Sequence, residues 1–209
     1  MRAASLLLLA VLASPSLGQS PAAPAEPPKK LEPNFFTPPE TAQTGPDLRY
    51  APASNSFVCD LPGAEWVAFE DEEAEGAAVH ILGPDNPDGL YRPGIDVRLY
   101  EKGHSRFLPM KTFIDRMRRS DDDTGRQATG VRPQRIGGIL LRLFEVNEKR
   151  WLPVDRFPAA ERDIHHFVAV VPAGDSYFVI KLGSTRETYL EYRSLFVNFI
   201  KSFRPQGYR

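Results

Sequence analysis

Between Asp163 and Pro205 the spacing of apolar side chains switches from every second residue to every third and fourth. Two β-rich runs, Ile164–Val171 and Tyr177–Leu182, flank the segment Pro172-Ala173-Gly174-Asp175-Ser176. Proline and glycine there predict the end of one strand and a reversal, so the pair is expected to form an antiparallel hairpin. In the second run Tyr177, Val179 and Lys181 point one way, and Phe178, Ile180 and Leu182 the other. One face is therefore wholly apolar and the opposite face mixed. Ser184 and Glu187 then stand at capping-box spacing, which predicts a helix start. Behind them Tyr189, Tyr192, Phe196, Phe199, Ile200 and Phe203 recur at three and four residues and form one aromatic stripe. Pro205 prevents continuation. A hairpin followed by an amphipathic helix packed across it is the core of an α+β domain.

The upstream pattern supplies more strands. Phe57–Pro62 reads as a short strand closed by proline, and Glu65–Glu70 alternates polar and apolar residues as a second. The acidic loop Glu70–Glu75 separates it from a third, Ala77–Leu82, and Gly83–Gly89 is dense in turn formers. Ile95, Val97 and Leu99 alternate with Asp96, Arg98 and Tyr100, which predicts a fourth strand with one buried face. Pro109 suits the first turn of a helix, because its missing amide costs nothing there. Met110, Phe113, Ile114 and Met117 give that helix an apolar face, and Lys111, Arg116, Arg118 and Arg119 stay in water. Asp121-Asp122-Asp123 with Gly125 ends it. Ile136–Val146 reads as one long strand in which Gly137-Gly138 marks a bulge or close packing. The insert Asn147–Arg162 has two prolines and no clean period, so a loop is expected.

The start of the chain has a different character. Arg2 and the apolar run Leu6–Ala13 have the form of a secretory signal, with small residues at Ser16-Leu17-Gly18 for cleavage after Gly18. That run is shorter than the roughly twenty residues a membrane span requires. We therefore expect residues 1–18 to be a signal peptide and the protein to be secreted or periplasmic, with no integral span after cleavage. Many of the 20 prolines crowd the next stretch, so residues 19–54 are expected to be a proline-rich disordered linker. Phe35-Phe36 is the only apolar pair in it that could dock elsewhere. Residues 55–206 form the α+β domain. A net charge of −1 on 209 residues argues against a nucleic-acid binder, which needs a basic face. Cys59 is the only cysteine, so no internal disulfide can form, and a buried strand position is expected for it.

Candidate chemistry is sparse. His165 and His166 are adjacent on a strand, so their rings point to opposite faces and cannot share one ion. His80 and His104 have no Cys, His or Glu at ligand spacing. Asp121-Asp122-Asp123-Thr124-Gly125 lacks the alternation of a calcium loop, and Arg132 stands where a bidentate glutamate would be needed. No nucleophile elbow, zinc-protease motif or phosphate loop occurs. We assign no catalytic, cofactor-binding or metal residues.

The order of features resembles the PsbP-like family over residues 55–205. The likeness lies in the Phe57–Gly63 strand, the strand bearing Trp66 and the helix after the fourth strand. It continues in the glycine-led strand from Gly138, the strand from His166 to Val171, the aromatic strand after Gly174 and the final helix ending in Ser202-Phe203. The resemblance implies an antiparallel sheet with helices packed on its faces, an α/β/α sandwich. It also implies a non-enzymatic, extracytoplasmic accessory or assembly role exerted through a protein partner at the cell envelope. The alternative is a small-ligand- or metal-binding protein, or an enzyme, using an unrecognised pocket in the same fold.

Overall fold

The structure, a computed structural model, describes residues 48–154 and 157–208. In chain order it comprises β1 (Arg49–Tyr50), β2 (Phe57–Asp60), β3 (Val67–Glu70), β4 (Ala78–Leu82), β5 (Gly94–Tyr100) and α1 (Met110–Met117). There follow β6 (Gln127–Ala128), β7 (Arg132–Ile136), β8 (Ile139–Leu152), β9 (Ala160–Ala173), β10 (Ser176–Thr185), α2 (Tyr189–Ser202) and β11 (Arg204–Pro205). Eight strands make one antiparallel sheet ordered β3-β4-β5-β10-β9-β8, with β6 and β7 both paired to β8. A second sheet, β1-β2-β11, has three strands.

The alternation in β10 sorts the core into two clusters. Phe178, Ile180 and Leu182 join Tyr192, Phe196, Phe199 and Ile200 of α2. Tyr177 and Val179 join Phe113 and Ile114 of α1. After α2, the chain turns at Phe203 into extended geometry and pairs with β2, so Phe57 meets Phe203 at 5.1 Å and Phe178 at 5.9 Å between ring centres. The small sheet thus closes the end of the α2 cluster. Cys59 lies in it, buried, and burial pushes its thiol up to about 12.

Five expectations are corrected. The run around Gly137-Gly138 is a hairpin rather than one strand: φ is +56° and +87° at the two glycines, the conformation a two-residue turn requires. A side chain at Gly137 would also collide with the Lys201 carbonyl, so the turn is pressed against the end of α2. The insert Asn147–Arg162 is mostly strand, since β8 pairs with β9 as far as Leu152 and Ala160. Ser184 and Glu187 form no capping box. β10 continues to Thr185, pairing Ser184 with His165, and the helix starts four residues later behind Thr188 without a side-chain cap. Pro172 sits inside β9 opposite Tyr177, and the reversal is made by Gly174 and Asp175 alone. The domain also begins earlier than residue 55, because Arg49 and Tyr50 pair with Asp60 and Cys59. The expected signal peptide, and the linker up to residue 47, lie outside the described residues.

Two stability measurements check this packing. Phe196→Ala and Phe203→Ala remove side chains that are 3% and 0% exposed, and each is expected to cost ~3–5 kcal/mol in denaturant unfolding. A chain beginning at Leu48 is expected to melt above one beginning at Ser54, which lacks β1. Equal melting temperatures would show that β1 adds nothing to the fold.

Candidate functional site

Among the described residues, β8 and β9 have no further strand beside them beyond the pairs Gln127–Asn147 and Thr185–Ile164. They run on as a two-stranded arm. Its pleat is clipped by Lys149 to Glu161 across the strands at 3.1 Å. Its outer end carries Trp151, Val154 and Phe157, which are 65%, 85% and 94% exposed. Solvated side chains of this size gathered on one tip are the mark of a contact surface. Ordinary periodicity fails here because Lys149, Arg150 and Trp151 on one strand and Glu161, Arg162 and Asp163 on the other are exposed in succession, so no alternation is imposed.

A second feature lies where the arm joins the sheet. Register places His80 and Lys181 on either side of Asp96, with His80 Nδ1 2.6 Å and Lys181 Nζ 3.4 Å from its carboxylate. Next to them, β9 brings His166 opposite Gly183. Burial holds His166 below its ordinary value of 6.5, so the neutral ring donates Nε2–H to Glu148 Oε1 at 3.0 Å. Arg150 Nε donates to the same oxygen at 2.6 Å. The hydrogen bond from His166, then the Arg150 charge, hold Glu148 down at about 2. Gly183 has no side chain for a reason: a methyl group there would collide with the Tyr91 hydroxyl and reach within 3.2 Å of His166 Nδ1. Burial raises the Tyr91 phenol to about 12, so it stays protonated. His166 Nδ1 is buried and has no hydrogen-bond partner. Its ring side chain is 8% exposed, and its bond to Glu148 ties β9 to β8 at the root of the arm.

The remaining residues singled out in the sequence are dispersed. His165 faces the opposite side of β9 from His166 and packs on Tyr189 at 4.8 Å. His104 pairs with Glu101 at 3.3 Å. Among the described residues, no group of three or more His, Cys, Asp or Glu is arranged to hold a metal ion. Asp121 and Arg126 close a tight turn through backbone bonds of 3.2 and 2.7 Å, with Asp121 Oδ1 accepting from the Asp123 amide. The acidic loop is partly consumed internally: Glu70 accepts from Tyr50 and Ala53, Asp71 pairs with Arg98, and Glu75 accepts from Ser105. In the turn Gly83–Gly89, Asn86 is buried and donates to Thr185 Oγ1 at 3.2 Å. Of the acidic loop, the turn Gly83–Gly89 and the arm, the arm alone ends in bare apolar side chains among the described residues. The His166–Glu148–Arg150 cluster could not be read from spacing, since its members meet only through strand register.

The cluster makes folding stability depend on pH with a definite sign. His165, His166 and Glu148 all sit below their ordinary values when folded, so the unfolded chain binds protons first as pH falls. Stability is expected to decline below 6.5, the ordinary histidine value, and again below 4.5 as Glu148 is driven toward about 2. His166→Gln should flatten the upper part of that profile in thermal melts, leaving the share owed to His165. A wild-type melting temperature that did not move as pH fell through 6.5 would contradict a neutral buried His166.

No protein-family model matches this chain, and no curated protein matches it significantly. Solved structures do. The cyanobacterial PsbP of Synechocystis sp. PCC 6803 aligns over 75% of this chain and 91% of its own, with 17% identity and a TM-score of 0.50. LpqN of Mycobacterium tuberculosis, described as involved in cell envelope biogenesis, aligns over 71% and 83%, with 16% identity and a TM-score of 0.41. What the first of these shares with the chain is its architecture, and the fold of residues 48–208 is PsbP-like.

Proposed function

We propose that this chain is an exported, non-catalytic accessory module that acts by protein contact at the cell envelope, with the β8–β9 arm as its contact element. The observation that carries the reading is the exposure of Trp151, Val154 and Phe157 together at the end of a paired, ion-clipped hairpin. Large aromatic side chains held on a rigid support lose little conformational freedom on binding, which is why such residues dominate interface energetics. The rest of the arm carries charges of both signs, and among the described part Glu148, Arg150, Lys149 and Glu161 pair with each other. An arm neutralised in this way presents its apolar tip rather than a charge to a partner. The signal-like start of the sequence supports an extracytoplasmic site of action. The three-layer arrangement expected of the family, with α1 and α2 on opposite faces of the sheet, belongs to the same reading.

The experiment is site-specific photo-crosslinking from position 157 of the full chain in the cells that make it. A discrete protein adduct at the envelope is expected. Replacing Trp151, Val154 and Phe157 together by serine should weaken binding to the crosslinked partner by ~2 kcal/mol or more, some thirtyfold, at an unchanged melting curve. Undiminished binding by the triple variant would remove the arm from the function. Turnover in a substrate screen, lost on changing His80, His104 or His166, would replace the module reading with an enzyme.

A further inference from the structure

On the other half of the same sheet face, α1 leaves a groove whose floor is aromatic. Tyr100 stacks on Tyr177 with ring centres 5.3 Å apart and packs on Phe113 at 4.9 Å, and Phe107 meets Tyr177 at 5.9 Å. The groove has a volume of about 520 Å³, within the range of roughly 300–1,000 Å³ that small-molecule sites occupy. Three guanidinium groups border it: Arg106 from the loop before α1, Arg116 from the last turn of α1, and Arg126 from the turn after it. Among the described residues, no aspartate or glutamate lines it.

Arg98, Arg150, Lys102, Lys111, Lys149 and Lys181 each have a carboxylate within 4.0 Å. Arg106, Arg116 and Arg126 form no ion pair among the described residues. Other cations of the domain, among them Arg118, Arg119, Arg142 and Lys201, also lack an ion pair among the described residues; this border differs in gathering three guanidinium groups at one groove. Glu75, at the adjoining recess, is already taken by the backbone amide and hydroxyl of Ser105 at 3.0 and 2.6 Å. Arg126 is positioned by Nη2, which donates to the Met117 carbonyl at the end of α1 at 2.7 Å. Its Nε is buried and has no acceptor. A cationic donor withdrawn from water without an acceptor is costly, and like charges around one groove repel. An anion placed between them relieves both costs, and guanidinium forks match carboxylate and phosphate oxygens.

We propose that this groove binds a small organic anion whose carboxylate or phosphate is held by Arg106, Arg116 and Arg126 while its flat apolar body lies on Tyr100, Phe107 and Phe113. The site is separate from the arm and stands whether or not the arm contacts a protein. Calorimetric and NMR titrations of the full chain with phenyl phosphate, inorganic phosphate and phenol test it. Phenyl phosphate is expected to bind more tightly than either fragment, with resonance shifts confined to the residues around α1. The exposed pair Arg106→Gln with Arg116→Gln should weaken phenyl phosphate about tenfold or more without moving the melting curve. Phe107→Leu should weaken phenyl phosphate and leave inorganic phosphate unchanged. Arg119→Gln, just past the C-terminal end of α1 and outside the groove, should change neither. The proposal fails if phenol binds as well as phenyl phosphate, if Arg119→Gln weakens binding as much as the double variant, or if phenyl phosphate shows no saturable binding at millimolar concentration.

Discussion

Strand β10 is buried on both faces along most of its length, and the rest of the domain is arranged to bury it. Tyr177 and Val179 need α1, while Phe178, Ile180 and Leu182 need α2. Both edges of the strand are taken as well, by β5 on one side and β9 on the other. A strand covered in every direction cannot slip by one residue without turning five apolar side chains into the wrong cluster, so its alternation sets the register of the sheet. That register in turn decides which polar groups meet. Asp96 stands opposite Lys181 and His80, and His166 stands opposite Gly183, because β10 is where it is.

The parts of the fold legible in the sequence are those with a wet face or a clear turn beside them. Ile95–Tyr100 and the stripe from Tyr189 to Phe203 announce their period, since a more exposed side and a core side impose it, while Tyr177–Leu182, buried on both faces, shows as a short β-rich run next to the Gly174 turn. Where a turn is itself flanked by apolar residues the break is hidden. Ile136 and Ile139 flank the Gly137-Gly138 turn with apolar residues, so a hairpin looks like one continuous strand. The outer arm fails for the opposite reason, with Lys149, Arg150 and Trp151 exposed in succession. At Ser184 a genuine helix-start spacing lost to the sheet, because pairing with His165 satisfies that backbone in the ladder and defers the helix. Local propensity there is worth less than continued pairing of a fully buried strand.

The polar sites were hidden for a different reason: their members are brought together by topology. Glu148 and His166 come from the two strands of one hairpin, and Tyr91 reaches them from the loop before β5 through the space Gly183 leaves. Arg106, Arg116 and Arg126 come from a loop, a helix and a turn. In the sequence Arg116 reads as part of a solvated helix face, and nothing in its spacing distinguishes it from Arg119. Only the structure shows which arginines look into a groove and which of them have found a carboxylate.

A net charge of −1 therefore says little about where this protein could bind. Charge is paired at the root of the arm, along the arm and beneath the acidic loop. Two places differ from these in opposite ways. The arm ends in apolar side chains with no core to cover them, and the groove beside α1 keeps three cations with no anion to answer them. Each is a local imbalance that folding alone leaves standing, and a bound partner is the simplest means of resolving it. Because one imbalance is apolar and the other ionic, salt should act on them differently. Raising ionic strength screens the arginines and weakens an anion in the groove, while it leaves contact at the arm intact or strengthens it.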